Sequence, residues 1–509
     1  MATKSKTKAK AASKPAKKSA TKATKKGKAG APGKGELRIR MYRVGFGDFF
    51  LVTVPTAVGP QHIVIDCGVT PGKTKKGDIG TIKDAVAHMA EVTGKELALI
   101  IVTHRHQDHI IGFSRSADIW KDFKVGAVWM SVWETEYDPN EKKEKKKSLA
   151  AQFQEELTSF ALGMQMRLAA GSDSPDANEI MAMLENATGV DRAELAAAGG
   201  AAPAKKVGKG GGTNAASLTF LKTGLGVEPE YYGKGDKPKI PKALKDAGLT
   251  AEILGPPPTD EIDFVKLMDL QKTTGQYLGE NSDDATGAVF DPFGEAWHAK
   301  ASDYKPGAFR EWTRESKNNP SGAMEAVIQS AQPSLLFTAA KTLDNFLNNQ
   351  SLVVLFTFKG KKLLFAGDAQ GGNWEYWMFG GTPTKAPSVD SIDKKSKAIL
   401  EHLDFYKVGH HGSTNATPIS AVESMGGDFA SMCSTQADSF GTVENQSEVP
   451  RVPLLTALAK KSRIVRSDHF PVTLPGNEVP AVDGAPAKLP TPKKGRFEKG
   501  PIYIDYFPE

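Results

Sequence analysis

Between Thr103 and Ile110 the chain reads HRHQDH, which places four metal-ligating side chains, His104, His106, Asp108 and His109, within six residues. Histidines two apart can aim both imidazoles at one ion, and the Asp-His that follows can serve a second ion close by. Three of the ten histidines of the chain fall in this one segment beside an aspartate, a density that isolated structural histidines do not explain. One loop cannot enclose two ions, so a bridging carboxylate and a further histidine must come from elsewhere. Asp368, after KKLLFAG, and the His410-His411 pair, after DFYKVG, are the candidates. An aspartate after glycine is by itself more often a turn residue; its weight comes from the company of the other two motifs. Imidazole and carboxylate donors make Zn²⁺ the default for the two divalent ions, with Mn²⁺ compatible with so many oxygen donors. The chemistry expected is hydrolysis, in which two ions lower the pKa of a shared water from about 15.7 towards about 7. We read Asp108 and His411 as catalytic, Asp108 orienting that water and the non-ligating member of the His pair serving the leaving group. Which of His410 and His411 ligates stays open.

Each motif needs a rigid element to deliver it. The run LALIIVT, Leu97 to Thr103, is apolar on both faces, as a buried strand should be, and feeds directly into the His-rich segment. Before it, ELRIRMYRV alternates as a strand, GFGD at Gly45 to Asp48 is a tight turn, and FFLVTV and HIVIDCG read as further strands. An amphipathic helix is expected near Ile82 to Glu91. Later, NNQSLVVLFTFKGKKLLFAGDAQ holds two apolar runs about a short polar turn, a hairpin that ends at Gly367-Asp368. A helix at Ser391 to His402, the strand DFYKVG, and final strands in RIVRSDHFPVTL and GPIYIDYF complete the pattern. The chemistry-bearing residues thus stand at strand ends, where site loops gather on a scaffold.

The 509 residues exceed the usual span of one core, so one large domain with insertions is expected. Residues 1–35 hold twelve lysines, no acidic residue, and almost only Lys, Ala, Ser, Thr, Gly and Pro besides. Such a segment is expected to be disordered and could bind polyanions by releasing counterions; a solubilising extension is the plainer alternative. Without it, 54 basic residues face 59 acidic ones, so the rest is mildly acidic. The hydrolase domain is expected over 36–480, with insertions at about 134–212 and 260–332, and a C-terminal extension, 481–509, ending in a strand. Two distant cysteines, Cys67 and Cys433, exclude a disulfide framework and a Cys-based zinc ribbon. With no apolar signal segment or spanning run, a soluble cytoplasmic protein away from membranes is expected.

In order, IDCG with Asp66, HRHQDH, AGD and VGHHGS resemble the motifs of the metallo-β-lactamase superfamily. VGFGDFFLV, AEILGPPP, NNQSLVV, LLFAGD and VGHHGS more narrowly resemble the soluble hydrolase domain of ComEC-type competence (DNA-uptake) proteins. The likeness covers about 37–130, 215–260 and 335–475. It implies an α/β fold, a four-layer αββα sandwich of two mixed sheets with helices outside and the metals at one edge. It implies His104, His106, Asp108 and His109 as ligands, Asp368 as the bridge, one of His410 and His411 as a further ligand, and Asp66 beneath the metals; Asp48 either approaches the site or caps its turn. One departure stands out: superfamily members often place another His ligand between HRHQDH and the bridging Asp, and here only His298 lies in that interval, inside an expected insertion.

The function expected is a phosphodiesterase, with DNA or RNA as substrate and the lysine-rich tail as a second contact to nucleic acid. The alternatives are a hydrolase of a small phosphoester, cyclic nucleotide, lactone or thioester, and a non-catalytic nucleic-acid-binding protein whose metal is structural. The scaffold alone does not choose.

Overall fold

The computed structural model describes residues 35–70, 80–135, 165, 175–190, 213–261, 333–381, 388–441, 447–468, 492 and 494–509. The lysine-rich tail up to residue 34, most of both expected insertions, His298 and His469 lie outside the described residues.

The described chain is mixed α/β, with two large sheets. The first runs β15 (Arg496–Lys499), β16 (Tyr503–Phe507), β1 (Arg38–Tyr42), β2 (Phe49–Thr56), β3 (Gly59–Cys67), β5 (Leu99–Val102), β7 (Val128–Ser131) and β8 (Glu230–Tyr232). It is antiparallel from β15 to β3 and parallel from β3 to β8. The second runs β14 (Ser462–Arg466), β13 (Phe429–Cys433), β12 (Phe405–Lys407), β11 (Lys361–Phe365), β10 (Val353–Phe358) and β9 (Thr250–Gly255). Its β9–β10–β11 part is antiparallel and β11 to β14 are parallel. A short parallel pair, β4 (Glu96–Leu97) and β6 (Lys124–Val125), stands apart.

Period-two alternation assigns the faces. Phe50, Val52, Ile63, Ile65, Leu99 and Ile101 of the first sheet share one apolar cluster with Val354, Phe356, Leu363, Phe365 and Phe405 of the second. The intervening residues point the other way. Leu51, Val64, Ile100 and Val102 pack with helices α1 (Ile82–Thr93), α2 (Gln107–Arg115), α3 (Ala117–Trp120) and, beyond α4 (Pro175–Thr188), with α5 (Asn214–Thr223). After α6 (Lys242–Asp246) and α7 (Pro333–Asn348) come α8 (Gly371–Met378), α9 (Lys394–Glu401), α10 (Ile419–Ser424) and α11 (Val452–Lys461); these last four pack on Val353, Leu355, Leu364 and Tyr406 of the second sheet. Helix α1 is bounded by a capping box between Thr81 and Asp84 and by a left-handed Gly94. No helix among the described residues is long and apolar enough to cross a membrane.

The parallel strands matter most for function. A parallel neighbour must be reached by a crossover, so the loops leaving the C-terminal ends of β3, β5, β11, β12 and β13 open at the same end of their sheets. Asp66 stands at the end of β3 itself, next to Cys67, and the loops after β5, β11, β12 and β13 carry HRHQDH, Asp368, His410-His411 and Ser434. Strands from both ends of the described residues meet in one sheet, since β16 lies between β15 and β1.

Candidate metal centre

The loop after β5 turns at Thr103 and becomes α2, with His106 at its N-cap and Asp108 in its first turn, where the helix dipole favours a carboxylate. Two glycines let this helix press on the end of β3. A Cβ on Gly68 would lie 2.1 Å from the Asp108 carbonyl carbon and the His109 nitrogen, and one on Gly112 would meet Cys67 Sγ at 2.4 Å. The Asp48 N–H, in turn, donates to the Asp108 carbonyl (2.9 Å), tying the GFGD turn to the same helix.

Asp108, His109, Asp368 and His411 form one buried group whose ligand atoms lie within 4.8 Å of one another. His109 Nε2 is 3.0 Å from Asp368 Oδ2, and His411 Nε2 is 3.0 Å from Asp108 Oδ2 and 3.2 Å from Asp368 Oδ2. Each imidazole is turned by a bond on its other nitrogen: His109 Nδ1 donates to Asp66 Oδ2 (2.8 Å) and His411 Nδ1 donates to the Ser434 carbonyl (2.8 Å). This arrangement sets both Nε2 atoms towards the centre, as metal-ligating histidines require. His109 Nε2, His411 Nε2, His106 Nε2 and Asp108 Oδ1 are buried and find no hydrogen bond of acceptable geometry. Buried polar atoms are seldom left so, and the three that belong to the four-residue group, His109 Nε2, His411 Nε2 and Asp108 Oδ1, suit a cation.

Asp66 anchors the whole loop. Its Oδ1 accepts from the Thr103 N–H (2.8 Å), and its Oδ2 accepts from Thr103 Oγ1 (2.7 Å) as well as from His109. Asp66 adopts φ 56°, and His410 and His411 adopt φ 41° and 52°, so three of the seven non-glycine residues with positive φ among the described residues sit here. Such conformations cost about 1 kcal/mol or more each and persist only where the surroundings dictate them. Here the His410 N–H donates to the Gly367 carbonyl (3.1 Å), pinning the strained turn to the Asp368 loop.

The structure separates the His pair. His411 belongs to the group; His410, half-buried, has its Nδ1 near Ser413 Oγ (2.7 Å) and Asn415 Oδ1 (2.9 Å), and its Nε2 near Asn348 Nδ2 (3.3 Å). His104 and His106 stand outside the four-residue group but against it. Their rings meet through His104 Nε2 and His106 Nδ1 (3.1 Å), and the His104 ring lies 4.1 Å from that of His109. Asp48 approaches as well, 3.7 Å from His109 Nδ1, in a second group with Asp66 and His109.

Without a cation, protons hold the carboxylates together. Burial opposes charge on His109, but Asp368, Asp66 and Asp108 outweigh it and hold its pKa well above the usual histidine range. His411, also against burial, is pushed up to about 10 by Asp368 and Asp108. Burial would raise Asp108, yet His109 and His411 bring it down to about 2, and the same two with Lys407 hold Asp368 well below the carboxylate range. His106 is lowered to about 4 by burial, which outweighs the opposing pull of Asp108 and Asp368.

Several participants escape sequence reasoning. Lys407, buried, makes a close ion pair with Asp48 and lies 3.3 Å from Asp368 Oδ1. Alternation in DFYKVG places Lys407 on the inward face with Phe405, and an inward lysine must find carboxylates; that signal was available. Asn186 of α4 accepts from the Asp108 N–H (3.2 Å), and Asp344 of α7 lies 3.7 Å from His106 Nε2. Burial, then Asp108 and Asp368, lift Asp344 to about 7. Nothing in the local sequence around Asn186 or Asp344 marks them. The chain matches no protein-family model and no curated protein, so the reading of this centre rests on its own geometry.

Proposed function

We propose that the chain is a metal-dependent hydrolase of the metallo-β-lactamase superfamily, acting on phosphodiesters, with nucleic acid as the first substrate class to test. The observation that carries the proposal is the meeting of Asp108, His109, Asp368 and His411 from separate strand ends, with unsatisfied Nε2 and Oδ1 atoms facing one another. Two sheets sharing a core, each with helices on its other face, suit a four-layer αββα sandwich. Asp108, His109, Asp368 and His411 would together hold one divalent ion, and His104 Nε2 and His106 Nδ1, 3.1 Å apart, would offer donors to a second. When bound, such ions supply Lewis-acid activation of water and stabilise charge on a phosphoryl group.

The chain's own groups do the positioning. Asp66 fixes the His109 ring and the Thr103 corner. Lys407 and Ser434 hold Asp48, and Lys407 also holds Asp368. His410, beside the group and braced by Ser413 and Asn415, is placed to hydrogen-bond a leaving oxygen. The lysine-rich tail supplies sequence-independent attraction to a polyanion, strongest at low salt.

Near-complete burial of all four grouped side chains is the one observation that favours the alternative, a closed structural site. Hydrolysis of bis-p-nitrophenyl phosphate and of labelled single- and double-stranded DNA by Zn²⁺- or Mn²⁺-loaded chain, beside Asp108→Ala, separates the two. Turnover lost in a folded variant supports the phosphodiesterase. A variant that unfolds as it loses metal favours the structural site. If no phosphodiester is turned over by the loaded wild type, the substrate must be sought among lactones, thioesters and small phosphoesters.

A further inference from the structure

We propose that Lys407, on strand β12, sets the metal preference of the centre: it occupies one oxygen of Asp368, leaves that carboxylate a single donor atom for the ion, and so favours Zn²⁺ over Mn²⁺. This rests on the reading of Asp108, His109, Asp368 and His411 as the site of one ion. Lys407 is buried, 1% exposed as a residue, and its ammonium has three hydrogens to place there. Its Nζ makes a close ion pair with Asp48 Oδ2, donates to the Gly367 carbonyl (3.0 Å) and donates to Asp368 Oδ1 (3.3 Å), so three acceptors meet three hydrogens. Asp48 is held from its other oxygen by Ser434 Oγ, and the Gly367 carbonyl also takes the His410 N–H (3.1 Å). The lysine is thus fixed from several sides.

The two oxygens of Asp368 are thereby divided. Oδ1 faces the ammonium, whereas Oδ2 lies 3.0 Å from His109 Nε2 and 3.2 Å from His411 Nε2, inside the buried group. Turning the carboxylate so that both oxygens faced the ion would take an acceptor from a buried cation, a costly exchange. With Asp368 limited to one oxygen, the group offers two imidazole nitrogens and two carboxylates, the donor number and types of a four-coordinate zinc site. Mn²⁺ seeks six ligands, oxygen above all, so it loses most when a carboxylate oxygen is withheld. The positive charge of Lys407 acts in the same sense. It offsets part of the anionic charge on which an oxygen-seeking ion depends, while the two imidazoles that suit zinc are untouched.

The test reads metal preference, not turnover. Full-length wild type and Lys407→Met are dialysed against graded mixtures of Zn²⁺ and Mn²⁺, and the bound metals are counted to give the ratio of the two affinities. Lys407→Met leaves Asp48 without its cation, so the double variant Lys407→Met/Asp48→Asn, which removes both charges of the pair, is measured beside it. A preference for Zn²⁺ that falls at least about tenfold in whichever variant folds supports the proposal. A smaller fall overturns it while leaving the single-ion site intact, and a wild type that binds neither metal brings down both. Diffraction from Zn²⁺-loaded wild-type crystals is independent of any variant: one Asp368 oxygen within about 2.5 Å of the ion, with the other on Lys407, supports the assignment, and both oxygens or neither within that reach overturn it.

Discussion

His109 and His411 carry the protons that hold this centre together when no cation is present, and the same protons must leave when one binds. With both imidazoles charged at pH 7, loading the metal-free chain should release about two protons. Calorimetric titration with Zn²⁺ in buffers of differing ionisation enthalpy reads the number directly, and a heat independent of buffer would contradict the protonation pattern. Asp66 belongs to the same scale. In Asp66→Asn, His109 Nδ1 and the two Thr103 donors lose a charged acceptor. Metal affinity should fall about 10–100-fold, the range found when the partner of a ligating histidine is altered. Competition with a chromogenic chelator measures this, and an affinity within twofold of wild type would show that Asp66 does not orient His109. That HRHQDH would reach the centre was legible from residue types and spacing, because four side chains able to ligate a metal in six residues concentrate more donor capacity than a loop needs for its own hydrogen bonds. Lys407 was legible only through alternation. Asp344 and Asn186 were not, since a single Asp or Asn on a helix gains meaning only from what the fold brings opposite it.

The strands around the centre were legible for a related reason. Buried runs such as LIIV and the hairpin Val353–Phe365 are continuous in apolar character, and Lys359-Gly360, both at positive φ, make the two-residue turn that a hairpin favours. What the sequence did not disclose is the pairing across long separations, which places β16 beside β1 and β8 beside β7. Contacts of that kind depend on complementarity between faces, not on local pattern. The seam between β3 and α2 tests how much the elements are locked. In Gly68→Ala the new methyl would overlap the Asp108–His109 backbone, so the helix must shift; such overpacking costs about 1–3 kcal/mol or more. Urea unfolding should show that loss in the metal-free chain, together with weakened metal binding, and an unchanged midpoint would mean that the seam is loose. Strand β3 also holds His62, buried against Thr53. Burial, then Arg38 and Arg40, bring it down to about 4. Its folded pKa is depressed, so its contribution to stability is present above about pH 6.5 and is lost as pH falls towards 4, by at most about 1.4 kcal/mol per pH unit. His62→Gln should flatten that slope in metal-free unfolding curves, whereas identical slopes for the two proteins would mean that His62 is not buried neutral.

At the scale of the whole molecule, the sheet that presents Asp66 and the His-rich loop is closed by the end of the chain. Asp505 on β16 accepts from Arg40 Nε (2.7 Å) and Nη2 (2.6 Å), and Arg38 Nη1 is 3.9 Å away, all three residues being buried. The Arg40 guanidinium also lies 3.4 Å from the centre of the Tyr503 ring. Removing one partner of a buried pair leaves a charge without solvent and costs about 3–5 kcal/mol, a large share of the roughly 5–15 kcal/mol that holds a typical domain. Asp505→Ala should therefore be severely destabilised when metal-free. The four grouped residues are untouched in this variant, so, if they hold the ion as proposed, Zn²⁺ at a thousand times its dissociation constant should return about 4 kcal/mol through mass action on the native state. His109→Ala lacks one of the four grouped side chains and should gain far less from the same Zn²⁺ concentration. Thermal melts of both variants with and without Zn²⁺ make the comparison: a large metal-induced rise in Asp505→Ala and a small one in His109→Ala would show that sheet closure and metal centre contribute separately to one native state. Equal rises in the two would mean that the stabilising ion binds elsewhere, and the centre described above would lose its claim to it.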